Sequence, residues 1–195
     1  MSISVIDLEC PGCGKPITIE TKQCPQCFRE IIISTFNSLD EISSAEINRL
    51  ANGYRKNLNN KPENVELNAS IAYCYLKLKL FEKAIPHFEK AIEDNFDNSD
   101  LFFYLAVALL KGKRPFLVSR DCIKKAEEYI QAAIMIEPKG IYYYLWSYIR
   151  FDHHYKKMFK MTPDYKELML MAEDAGVSDC DISSLCRILG IDKIF

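Results

Sequence analysis

Four cysteines near the N-terminus carry the clearest chemistry in this 195-residue chain. They stand as Cys10-Pro-Gly-Cys13-Gly-Lys and Cys24-Pro-Gln-Cys27-Phe-Arg, one pattern written twice with ten residues between the pairs. Two thiolates separated by two residues can share one metal ion while nearby backbone N–H groups turn toward the sulfurs. Two such turns complete a tetrahedral shell with bonds of about 2.3 Å, the coordination zinc prefers. An all-sulfur shell leaves no position for a catalytic water, so the expected occupant is one structural Zn2+ held by Cys10, Cys13, Cys24 and Cys27. Redox chemistry is disfavoured, because a reactive dithiol needs one pair in a strand and helix setting, not two equivalent turns.

The elements that must position these sulfurs are short. Ile3 and Val5, Ile17 and Ile19, and Ile31 and Ile33 alternate as strands do. Paired cysteines among such strands resemble a zinc ribbon, here spanning residues 1–34. A rubredoxin-type iron site would have a longer connection between its pairs. A unit this small buries too little apolar surface to fold alone, so the metal should supply on the order of 10 kcal/mol of its folding free energy. Apart from the thiolates the segment has a formal charge of −1, with Lys15, Lys22 and Arg29 against Asp7, Glu9, Glu20 and Glu30. Contact with a protein partner or with the helices that follow, a purely structural cap, and nucleic-acid binding through Lys22, Phe28 and Arg29 all stay open.

Composition excludes several classes. Hydrophobic residues make up 49% of the chain, enough for a substantial core, and the net charge of −2 exerts no general pull on nucleic acid or anionic lipid. The opening MSISVIDLEC lacks the basic-then-apolar order of a signal peptide, and the longest apolar run, Leu101 to Leu110, is half a membrane span. Cys74, Cys122, Cys180 and Cys186 lie within helical patterns without metal spacing, which fits reduced thiols. The expectation is a soluble cytoplasmic protein.

Beyond a polar linker at 35–43, helical periodicity takes over. Ser43 and Glu46 form a capping box that opens a helix with Ile47, Leu50, Ala51, Tyr54 and Leu58 on one stripe. From Phe81 to Glu93, Ala84, Phe88 and Ala91 share a face in small, large, small order, which lets a neighbouring helix approach at both alanines. Steps of about 34 residues lead back to Leu50, Tyr54, Asn57 and Pro62. After an allowance of eight extra residues they lead forward to Ala126, Ile130, Ala133 and Pro138. The pattern resembles the tetratricopeptide repeat (TPR). One copy runs from about Val65 to Asn98 with Ala72, Tyr75, Ala84, Phe88 and Ala91 in place. A second is carried by Leu105, Ala106, Leu109, Ala126, Ile130, Ala133 and Pro138. Trp146 and Phe96 depart from it, where a small residue and a proline are usual. Pro86 should loosen the first turns of its helix, Ser99 and Ser119 should cap the next two, and Thr162-Pro163 and Ser178 with Asp181 the last two, which close the end of the stack.

The resemblance implies a concave inner face suited to a peptide. By repeat phase it includes Tyr73, Lys77, Phe103, Val107, Lys111, Tyr143, Ser147 and Arg150. Members that clamp an acidic C-terminus place lysine and asparagine where this chain has Ala69 and Tyr73, which argues against that ligand. Either the face is open or the C-terminal helices fill it. Six cations between Lys111 and Lys125, namely Lys111, Lys113, Arg114, Arg120, Lys124 and Lys125, make the one concentrated basic patch. It reads as a solvated turn or as an anionic contact. The rings from Tyr142 to Phe151 are too many for one stripe, and some must meet another element. His87, His153 and His154 have no partner at metal spacing, and no phosphate loop, dinucleotide fingerprint or nucleophile elbow occurs.

These readings converge on a mostly α protein. Residues 1–34 form a small β zinc ribbon, 35–43 a linker, and 44–195 a TPR-like right-handed stack of antiparallel helix pairs with C-terminal capping helices. The expected function is a non-enzymatic adaptor for a protein or peptide partner. A nucleic-acid accessory factor using the ribbon and the turn at 111–125 is the alternative.

Overall fold

The computed structural model of the protein describes residues 8–18 and 20–191; Ile3, Val5 and Ile19, expected in strands, lie outside the described residues. The chain divides into two compact units, one ending at Asn95 and the other beginning at Phe96.

The first unit opens with β1 (Leu8–Glu9) and β2 (Pro16–Ile17), paired antiparallel with Leu8 opposite Ile17 and Glu9 opposite Pro16. The expected strand at Ile31 and Ile33 is not one. Both side chains are nevertheless buried with Ile32 half-exposed between them, so the alternation survives without a ladder. The stretch read as a linker contains a 3-10 turn, Phe36–Leu39, that buries Phe36 and Leu39. Polar neighbours had masked these two anchors. Helix α1 (Ser44–Asn60) starts at Ser43, whose Oγ accepts from Glu46 N at 3.3 Å. The Glu46 carboxylate pairs with Arg29 instead of returning to the cap.

Helix α2 (Val65–Lys77) is buried continuously from Leu67 to Leu76, because α1 packs on one side and α3 (Phe81–Glu93) on another. A three-residue connection containing Lys79 at φ 58° reverses the chain between α2 and α3. Ala84, Phe88 and Ala91 are fully buried as their order predicts, and the Phe88 ring meets Tyr73 edge-on at 5.6 Å. Removing such a ring from a packed face costs about 3–5 kcal/mol. Helix α3 runs unbroken through Pro86.

The second unit packs α4 (Ser99–Leu109) on α5 (Arg120–Ile136), α5 on α6 (Gly140–Ile149), and α6 on α7 (Tyr165–Asp174) and α8 (Asp179–Leu189). Asn98, not Ser99, caps α4. Its Oδ1 accepts from Asp100 N at 3.2 Å, and the Ser99 hydroxyl turns inward to Tyr142 and Glu137, both at 3.0 Å. Ser119 caps α5 as expected. Asp164, one residue beyond the expected Thr162-Pro163, caps α7, and Ser178 closes a capping box with Asp181 at α8. The ring-rich α6 is buried almost throughout, with Tyr142 at 4.7 Å from Phe103. Its start at Gly140 lies so close to the α7 to α8 connection that a Cβ there would meet Val177 N at 2.4 Å. A π-helical turn, Arg150–His154, follows α6. No helix among the described residues is long and apolar enough to cross a membrane.

Candidate metal centre

Each cysteine pair is built by the same backbone device. Cys10 N donates to Lys15 O at 2.9 Å and Gly14 N to Cys10 O at 2.8 Å; in the second copy Cys24 N donates to Arg29 O at 2.8 Å and Phe28 N to Cys24 O at 2.9 Å. Both turns close through a positive φ, at Gly14 (78°) and Phe28 (55°). Glycine adopts that conformation without strain, whereas a phenylalanine there costs energy. The pairing of Glu9 with Pro16 is echoed by the bridge from Gln23 to Glu30, six residues past each leading cysteine. The two knuckles therefore match in hydrogen bonding as well as in sequence.

The four sulfurs converge. All lie within 4.8 Å of one another, with Cys10 to Cys27 and Cys13 to Cys24 at 3.6 Å. Zinc–sulfur bonds of about 2.3 Å imply tetrahedral edges of about 3.8 Å, so the spacing fits one metal ion in the middle. Cys10 and Cys24 are buried and Cys13 and Cys27 exposed. Burial pushes the Cys10 thiol up to about 12, while the Cys27 and Gln26 N–H groups pull Cys24 down to about 6. Four thiolates this close repel one another, and a divalent cation removes that repulsion. The cluster can hold a metal ion, and its all-sulfur shell is a closed one.

The knuckles are seated on α1. Asn57 reaches Glu9 twice: Glu9 N donates to its Oδ1 at 2.9 Å and its Nδ2 donates to Glu9 O at 2.8 Å. The side-chain amide thereby satisfies an edge of β1 as another strand would. Tyr54 OH donates to Ile31 O at 2.9 Å, and Ile33 N donates to Ser70 Oγ on α2 at 2.9 Å. Gly53 lies directly beneath Pro11, where a Cβ would come within 2.4 Å of Pro11 Cα. Asn57 holds the repeat position that Ala91 fills in the next pair, so this departure from the small-residue pattern is the docking contact itself. Sequence reasoning placed Asn57 in the repeat but missed its role. The signal was a buried amide and a glycine within an otherwise apolar stripe.

The expected partner face fares differently. Tyr73 is buried against Phe36 and Phe88, Phe103 against Tyr142, and Val107 is fully enclosed. Ser147 donates to Tyr165 O at 2.7 Å, and buried Arg150 is ion-paired to Glu127 at 2.7 Å. All five are buried, because neighbouring elements pack over them. Lys77 is ion-paired with Asp40, Tyr143 is half-buried, and Lys111 is exposed. Within the basic patch Arg114 is tied to Asp152 at 2.6 Å and Lys124 to Glu128 at 3.7 Å, which reduces the charge on offer to an anion.

No protein-family profile matches the chain, and no curated protein matches it. Solved structures of MamA do. The MamA RS-1 ArsTM double mutant aligns with a TM-score of 0.55 at 16% identity, covering 74% of this chain and 74% of that one. MamA AMB-1 aligns with a TM-score of 0.52 at 21% identity, over 74% of this chain and 72% of that one. MamA from position 41 to its end, from Desulfovibrio magneticus RS-1, gives 0.50 at 14% identity, over 78% and 71%. At such identities the likeness shows the fold, a TPR-like helical repeat, here with a small N-terminal sheet.

Proposed function

We propose that the chain is a non-enzymatic interaction scaffold whose TPR-like helix pairs recruit a protein partner and whose N-terminal knuckles hold one structural Zn2+ as a ribbon. The observation that carries the reading is the seating of a closed four-sulfur cluster on a repeat helix through Asn57, Tyr54 and Gly53. A metal bound there shapes a surface and leaves substrate no open coordination position. The partner meets the part of the expected face left uncovered, at exposed Lys111 just past α4 and half-buried Tyr143 on α6. Every described cysteine is free, which suits a reducing cytoplasm.

Affinity capture from the native source, with metal analysis of the same sample, tests the proposal. One equivalent of zinc and a partner lost on Lys111→Glu with Tyr143→Ala, at unchanged circular dichroism, are the expected results. Partner capture undiminished by the double substitution would exclude this face, and a coloured iron site would exclude zinc.

A further inference from the structure

A second constellation, in the unit beginning at Phe96, has no part in metal binding. Buried Glu127 of α5 sits among Trp146, Arg150 and His154. Trp146 Nε1 donates to Glu127 Oε1 at 3.2 Å, Arg150 Nε lies 2.7 Å from the same oxygen, and His154 Nε2 stands 3.3 Å from Oε2. Glu127 thus balances the charge of the Arg150 guanidinium by proximity. Arg150 is only 6% exposed, and neither its Nε nor its Nη1 has a hydrogen-bond partner among the described residues. A buried charged donor left unmatched costs free energy, so its retention marks a place for an acceptor.

The same arginine lines a cavity of about 270 Å³. Tyr155, Phe159 and Tyr165 supply aromatic walls, with Tyr155 and Tyr165 rings 5.1 Å apart, and Lys160 and Lys166 add positive charge. The acid that also lines it, Asp164, is occupied in capping α7, accepting from Lys166 N at 2.8 Å and Glu167 N at 2.9 Å. Arg150 enters this position through the π-helical turn, a device that occurs often at functional sites because it re-aims side chains a helix would place elsewhere. An apolar cavity of about 150 Å³ can hold benzene, so the space here suits a ring together with a small charged group.

We propose that this cavity binds a small carboxylate carried on an apolar body, with the Arg150 guanidinium holding the oxygens and the three rings enclosing the rest. A planar guanidinium matches a carboxylate in geometry and charge. The site stands whether or not the helix pairs carry a protein partner.

Trp146 is the single tryptophan of the chain, and the Arg150 guanidinium lies 5.4 Å from its ring, so its fluorescence reports on the arginine. Titration of the full chain with phenylacetate should give a saturable change with a Kd of about 1 mM or below. 2-Phenylethanol, which has the ring without the charge, should give none, and inorganic phosphate should bind more weakly than phenylacetate. Arg150→Lys keeps a cation for Glu127 but loses the fork, and should weaken phenylacetate about tenfold by calorimetry. Met161→Trp fills the cavity from its rim without touching the pair with Glu127, and should abolish the calorimetric signal while circular dichroism stays native. Absence of saturation, an equal response to 2-phenylethanol, or undiminished binding in Met161→Trp would overturn the assignment. Phosphate binding as tight as phenylacetate would overturn the apolar body.

Discussion

The cysteine cluster and the Glu127 cluster solve the same problem, unlike-charge pairing inside a helical protein, by opposite routes. The sulfurs come from two short turns only ten residues apart, each shaped by its own backbone hydrogen bonds, and they form a shell that an ion from outside can complete. Glu127 and Arg150 come from different helical elements and balance one another's charge. A site of the first kind is as stable as its metal is tightly held. One of the second kind is as stable as the packing that keeps water away from it.

That contrast can be broken at its strongest point first. Replacing Cys10 by serine should abolish metal binding and expose the amides of residues 8–33 to rapid hydrogen exchange, since a metal held by the four sulfurs is expected to supply on the order of 10 kcal/mol there. Slow exchange persisting in a metal-free protein would show that the seating on α1 suffices without an ion. Next in size, Glu127→Ala removes the buried acid and strands Arg150, and should cost about 3–5 kcal/mol in urea unfolding followed by Trp146 fluorescence. A loss below about 1 kcal/mol would mean that solvent already reaches the pair.

The smallest effect concerns pH. Burial pulls the His153 imidazole down from 6.5 to about 4, and the cations Lys157 and Arg120 act in the same direction against Glu127. The unfolded chain takes up this proton near 6.5 and the folded chain only near 4, so the contribution is complete above about 6.5 and declines as pH falls toward about 4. The thermal midpoint should drop across that window, and His153→Gln should flatten the drop. An unchanged slope in the variant would assign the acid sensitivity to the buried carboxylates instead.

Much of this was legible in the sequence. Two matched Cys-x-x-Cys pairs announce their cluster because the geometry that gathers the sulfurs is local, set by turns a few residues long. Ala84, Phe88 and Ala91 announce their buried face because helical periodicity alone aligns them. The same periodicity misled at Tyr73, Phe103, Val107, Ser147 and Arg150. It fixes which residues share a face but does not say what covers that face.

What the tertiary structure decided is everything that depends on one element meeting another. Asn57 gains its meaning from the edge of β1, Gly53 from Pro11, and Phe36 and Leu39 from the core beneath a stretch that reads as a linker. Arg150 looks like the polar end of an aromatic helix until a π-helical turn sets it beside Glu127 and a cavity. Composition and spacing specify the knuckles and the helices, since both are short-range consequences of the chain. Which buried polar groups find partners is settled only by packing, because partners far apart in sequence are brought together by the fold.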